Sequence, residues 1–175
     1  ELLFAPPRAY AAVAQEAEAL LASSRIVLAG ALTYQAQSLM ASAEQEDALE
    51  EARPLAVRLL LAAIEREPGE PEAYRALAGV RLDQGDANGA RETVATAVAA
   101  GVPETEFALV TGAIALHSGD IEAALNTARE HTRRDERTRQ TVLLWADLFT
   151  RNSQVGAARQ LLRELAAATD DPADR

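Results

Sequence analysis

The sequence predicts an all-α protein built as a solenoid of helical hairpins, and three observations carry that expectation. Alanine is abundant while aromatic residues make up only 4% of the 175 residues, a balance that favours helix over strand. The phrases "RLDQGDANGARE" and "ALHSGDIEAALN" place Gly85-Asp86 before Ala90 and Gly119-Asp120 before Ala124, and the two copies lie 34 residues apart. Extending the same interval in both directions reaches Ala56 and Ala158. Each of these four alanines is followed one helical turn later by an apolar residue, namely Leu60, Val94, Ala128 and Leu162. A fixed period between 20 and 50 residues is the signature of stacked supersecondary units. A small residue one turn from an apolar one suits the tight face of a packed helix.

The elements follow in order. Pro6-Pro7 opens a helix at about 8–22, with Tyr10, Val13, Ala17, Leu20 and Leu21 on one side. Ser23-Ser24 is expected to break it and to cap a second helix running from 25 into the forties. Residues 1–36 thus read as an additional hairpin or cap, and 37–70 as a degenerate repeat whose elbow falls in the acidic "AEQEDALEEAR". Pro54 is placed in the first turn of the next helix, where its missing N–H costs nothing. "PEAYRALAGVRLDQ" carries Ala73, Tyr74, Leu77, Val80 and Leu82 at helical spacing, and "TEFALVTGAIALHS" and "RQTVLLWADLFTRN" stand one and two periods later. Gly85 and Gly119 supply the helix-ending position of positive φ, and Asp86 and Asp120 can cap the helices that follow. The repeated phrase is therefore the elbow of a hairpin. Repeats are expected over 71–104 and 105–138, a terminal hairpin over 139–169 and a frayed tail over 170–175.

On these residues the chain resembles the tetratricopeptide (TPR) repeat. Tyr74-x-x-Leu77-Ala78-x-x-Arg81, Ala90-x-x-x-Val94 and Ala97 match much of that family's pattern, with Arg81 where an aromatic is usual. The repeat at 105–138 keeps Gly112, Gly119 and Ala124 but has Ala108 and Thr111 at positions that are usually large. The next has Val142, Trp145, Ala146 and Phe149, with Asn152-Ser153 in place of Gly-Asp. The proline that ends a repeat matches at Pro68 and sits one residue late at Pro103. The resemblance implies a right-handed superhelix. Its inner positions recur as Arg75, Gly79 and Leu82, then Leu109, Ala113 and Leu116, then Leu143, Asp147 and Thr150, with His117 and Arg151 at the edge.

Chemistry finds little purchase. Seventeen basic residues, all of them Arg, against twenty-seven acidic ones give a net charge of −10. That balance disfavours non-specific attraction to nucleic acid or an anionic membrane. No cysteine is present, which excludes disulfides and thiolate chemistry. No run of eighteen apolar residues spans a membrane. His117, Ser118 and Asp120 are sequence neighbours around an elbow rather than a converging constellation, so an enzyme is not expected. His117 and His131 lack the companions of a metal site, the separate glycines make no phosphate loop, and no cofactor is expected. The acidic cluster Glu44, Glu46, Asp47, Glu50 and Glu51 lacks the order of a calcium loop and reads as a solvated face. Arg129, Arg133, Arg134, Arg137 and Arg139 form either a patch for an anion or an acidic partner or a solvated turn paired with Glu130, Asp135 and Glu136, the second being the ordinary outcome for mixed charge.

The expected function is therefore a noncatalytic scaffold or adaptor that binds a peptide or helix of a partner protein in its groove. Leu82, Leu109, Leu116 and Leu143 would form an apolar strip, with Arg75 and Arg151 for orientation and Asp147 beside them. The alternative is that these leucines are core. The carboxylate clamp known in some TPR domains is not expected, because Gly79, Ala113 and Asp147 occupy its places. A self-associating subunit is a second reading, since Val155, Leu161, Leu162 and Leu165 on the last helix have no following repeat to cover them. A small-ligand-binding helical protein is a third, against which the lack of a convergent polar set weighs. Glu1 in place of an initiator Met suggests excision from a longer precursor. That is compatible with a bacterial cell-envelope protein, the reading favoured by analogy, or with a domain cut from a cytoplasmic one.

Overall fold

A computed structural model describes the backbone of residues 7–43, 46–134 and 138–169, and side chains from residue 23 onward except at 44–47, 134–138, 165 and 168–175. The described residues form eight α-helices and one 3-10 turn, with no strand among them. The chain divides into two compact units, residues 1–76 and 77–175.

In the first unit, α1 (Pro7–Ser42) packs along α2 (Glu46–Arg66), and the start of α3 (Pro71–Asp83) adds Ala73 to their core. Ala29, Ala63 and Ala73 are fully buried, with Leu32 and Ile64 beside them, so small side chains set the close approach of the helices. Two expectations are corrected here. Ser23-Ser24 does not break the helix, and α1 continues without interruption across residue 36. Serine keeps its N–H, and inside a helix it costs less than about 0.7 kcal/mol relative to alanine, too little to end a helix that tertiary packing supports. Pro54 lies nine residues into α2 rather than in its first turn. It removes the bond that the Glu50 carbonyl would accept, and Glu50 is exposed, so water can take that place. Outside its packed face, α1 presents Ile26, Val27, Leu28 and Tyr34 to solvent.

The second unit contains the rest of α3, then α4 (Ala87–Ala99), a 3-10 turn (Glu104–Phe107), α5 (Ala108–His117), α6 (Ile121–Arg134), α7 (Thr138–Arg151) and α8 (Val155–Thr169). Helices α4, α6 and α8 begin at Ala87, Ile121 and Val155, at the interval read from the sequence. Helix α5 packs on α6 and α7 on α8. The four alanines of the repeating frame, Ala56, Ala90, Ala124 and Ala158, are all buried.

The elbows share one hydrogen-bond pattern. Gly85 and Asp86 donate to the carbonyls of Leu82 and Arg81 at 2.8 Å each; Gly119 and Asp120 donate to Leu116 and Ala115 at 3.0 and 2.9 Å. In the third elbow Ser153 and Gln154 donate to Thr150 and Phe149 at 3.0 and 2.7 Å. This is the left-handed helix-ending motif that favours glycine, and φ is +76° at Gly85, +75° at Gly119 and +60° at Ser153. Ser153 and Gln154, not Asn152 and Ser153, thus stand where Gly-Asp stands in the other copies. The two aspartates cap as expected: Asp86 accepts from the Gly89 N–H at 2.8 Å and Asp120 from the Ala123 N–H at 2.9 Å.

Trp145 and Phe149, both fully buried, centre the larger core of this unit, their ring centroids 6.0 Å apart. The indole lies over Gly112, and a Cβ there would stand 2.2 Å from its Cζ3. Ala108 packs against the same cluster, so the bulk missing from α5 is supplied by α7. The indole N–H donates to Nδ1 of His131 on α6 at 3.2 Å.

Candidate functional site

The residues named from the sequence are not one surface. In the first unit, Arg75 is half-buried and held by Glu72, its guanidinium donating at 2.8 and 3.1 Å to one carboxylate oxygen. Gln37 of α1 donates to the other oxygen at 2.8 Å. Burial pushes the Glu72 carboxyl up, but the hydrogen bonds from Arg75 and Gln37 and the charge of Arg75 outweigh it, leaving the group below its ordinary value. Arg75 is therefore part of a structural network tying α3 to α1.

In the second unit, Leu82 is only 6% exposed, packed in a cluster with Ala78, Ala90 and Ile114. It is core, which corrects its assignment to an apolar strip. Leu109 and Leu116 are half-buried against the Trp145 cluster. Leu143 alone of the four is open, at 56% exposure. One turn along α7 from it, Asp147 accepts from Arg151 at 2.8 Å, both side chains exposed. Thr150 is also exposed, its hydroxyl donating to the Ala146 carbonyl at 2.7 Å. The surface that survives is a face of α7: Leu143, Asp147, Thr150 and Arg151.

The other sequence candidates are spread over separate tasks. His117 Nδ1 stands 3.1 Å from the Ala113 carbonyl, the Ser118 hydroxyl donates to the Ile114 carbonyl at 2.9 Å, and Asp120 caps α6. Ser118 also accepts from Arg91 at 2.6 Å. Among the described residues no group of three His, Cys, Asp or Glu side chains is placed to hold a metal ion, and no helix is long and apolar enough to cross a membrane. Glu44 of the acidic cluster lies outside the described residues and the side chains of Glu46 and Asp47 with it, while Glu50 and Glu51 are exposed. The arginine run is partly paired: Arg129 reaches Glu164 of α8 at 3.0 and 3.1 Å, with Glu122 at 3.7 Å, and Arg133 pairs with Glu130. The hydrogen bond from Arg129 holds the Glu164 carboxyl below its ordinary value, against partial burial and with help from Gln160 and the charge of Arg129. The side chains of Arg134, Asp135, Glu136 and Arg137 lie outside the described residues, and Arg139 is exposed. On α8, Leu161 is buried, Val155 and Leu162 are open, and the Leu165 side chain lies outside the described residues.

Sequence reasoning missed what Arg81 does. Where the repeat pattern has an aromatic, its guanidinium donates to the Gly89 carbonyl at 2.6 Å and to the Thr93 hydroxyl at 2.8 Å. The signal available was Thr93, a polar residue on the buried side of α4.

Compared with family models, with curated proteins and with solved structures, the chain finds no match in any of the three.

Proposed function

We propose that residues 77–175 form a short TPR-like array that acts as a noncatalytic protein-binding module. The observation that carries this reading is the recurrence, at 34 residues, of helix starts, elbow hydrogen bonds and buried alanines. Such a stack is one-dimensional and rigid, and it offers each hairpin's first helix as a surface. On α7 that surface combines an exposed leucine with the Asp147–Arg151 pair. Leu143 takes an apolar side chain of an extended or helical segment, and the ion pair orients its polar groups. A preordered surface adds little ordering cost on its own side, so a small contact suffices for about micromolar affinity.

Panning a displayed peptide library against the chain tests this. Selected peptides are expected to lose at least about tenfold in affinity for Leu143→Glu, while the helix content of the variant, read by circular dichroism, is unchanged. Peptides that bind the variant as well as the parent chain would refute the assignment to α7.

A further inference from the structure

The second helices of the three hairpins carry one stripe in common, and its fate differs in the last. The stripe is Ala87, Arg91 and Val94 on α4, Ile121, Leu125 and Ala128 on α6, and Val155, Arg159 and Leu162 on α8, each 34 residues from its counterpart. On α4, Ala87 and Val94 pack against a cluster that includes Ile114 of α5. On α6, Leu125 and Ala128 are buried in the cluster to which α7 brings Val142, Trp145, Ala146 and Phe149. Ala128 is 0% exposed, whereas its counterpart Leu162 is 38% exposed and Val155 is 47% exposed. Arg159 and Arg163 of α8 are exposed and enter no ion pair among the described residues.

We propose that the α8 stripe docks an amphipathic helix from an acidic partner protein, seated on α8 as α7 is seated on α6. The covered copy defines the shape of that ligand: large apolar residues at i, i+3, i+4 and i+7, the spacing of Val142, Trp145, Ala146 and Phe149. Charge defines the rest. On α4 the counterpart of Arg159 is Arg91, and its guanidinium donates to the Ser118 hydroxyl, at the end of the covering helix α5, at 2.6 Å. An arginine at this register can thus reach an acceptor at the last turn of the helix that covers it, besides Asn88 of its own helix, and the helix dipole there also favours a cation. With Arg163 one turn further along α8, an acidic side chain at that end of the ligand satisfies both guanidinium groups. A second copy packed symmetrically through the stripe would bring Arg159 toward its own image, which disfavours a homodimer here. This inference needs only the 34-residue correspondence and stands whether or not α7 bears a peptide site.

The probe is a fluorescein-labelled peptide of the α7 sequence, Thr138–Arg151, with Arg139 and Arg151 exchanged for Glu, compared with the unmodified peptide by fluorescence anisotropy. The acidic peptide is expected to bind at least about tenfold more tightly than the unmodified one. In the chain, Arg159→Glu is expected to reverse that order. Leu162→Glu is expected to abolish binding of both, with circular dichroism unchanged because the side chain is already open. Equal binding of the two peptides, binding untouched by Leu162→Glu, or no binding at millimolar peptide would each overturn the proposal. So would a dimer in light scattering that Leu162→Glu dissolves, since the occupant would then be a second copy.

Discussion

Exchanging Gly112 for alanine tests the packing of α7 on α5 more directly than any other single change. The added Cβ would stand 2.2 Å from Cζ3 and 2.3 Å from Cη2 of Trp145, far inside contact distance, so the indole must move. It has little room. The ring is fully buried, lies beside Phe149 and donates to His131. Overpacking of this kind costs about 1–3 kcal/mol, and the missing acceptor for a displaced indole N–H adds about 1–3 kcal/mol. Helix propensity returns about 1 kcal/mol for Gly→Ala, so a net loss of roughly 1–5 kcal/mol is expected. At about 2–4 °C per kcal/mol for a chain of this size, the melting temperature should fall by several degrees. Gly79→Ala is the matched control, because nothing lies within 4 Å of the Cβ position there. It should stabilise by about 0.4–1 kcal/mol. Thermal unfolding followed by circular dichroism and by the emission of Trp145, the single tryptophan, reads both. A Gly112→Ala variant as stable as Gly79→Ala, with unshifted emission, would refute the packing argument.

Three further changes probe other parts of the structure. Pro54→Ala restores a helix bond inside α2 and should raise the melting temperature, by up to about 3 kcal/mol of stability less the entropy regained by the unfolded chain; a loss on thermal unfolding would mean that the proline is structurally required. His131→Leu removes the acceptor of the buried indole N–H and should cost about 1–3 kcal/mol, with a shift in tryptophan emission; unchanged chemical denaturation would show that the bond is dispensable. Glu164 is held below its ordinary pKa in the folded chain, so its contribution is present above the unfolded value and is lost as pH falls through the folded one. Stability of the parent chain should therefore decline on acidification more than that of Glu164→Gln, measured by urea unfolding between pH 6 and pH 3, both pH values chosen to bracket about 4.3; parallel curves would remove the Arg129–Glu164 pair from the account.

The parts of the fold that were legible in the sequence are those that depend on local chemistry. A left-handed helix end demands glycine, and Gly85 and Gly119 announce it; a tight helix face demands a small residue, and the alanines at 56, 90, 124 and 158 mark one frame. Serine is ambiguous by nature, able to cap a helix or to sit within one, and at Ser23-Ser24 the packing of α1 on α2 decides. The third elbow was read one residue early, at Asn152-Ser153, because a serine at positive φ does not announce a helix end as glycine does. The candidate surface was less legible still. Leu82 and Leu143 occupy related places on first helices, but whether such a leucine is core or surface depends on the neighbouring hairpin, which no local pattern encodes. Arg81 and Thr93 form their bridge across an elbow, a pairing that becomes visible only when the hairpin closes.

The open face of α1 has a consequence for the behaviour of the chain in solution. Between residues 19 and 43 the only charged side chain is Arg25, and Ile26, Val27, Leu28 and Tyr34 stand in water. At neutral pH the ten excess negative charges oppose association through these apolar patches. Near the isoelectric point of 4.7 that repulsion vanishes while the apolar face does not, so colloidal stability should collapse there before the helices unfold.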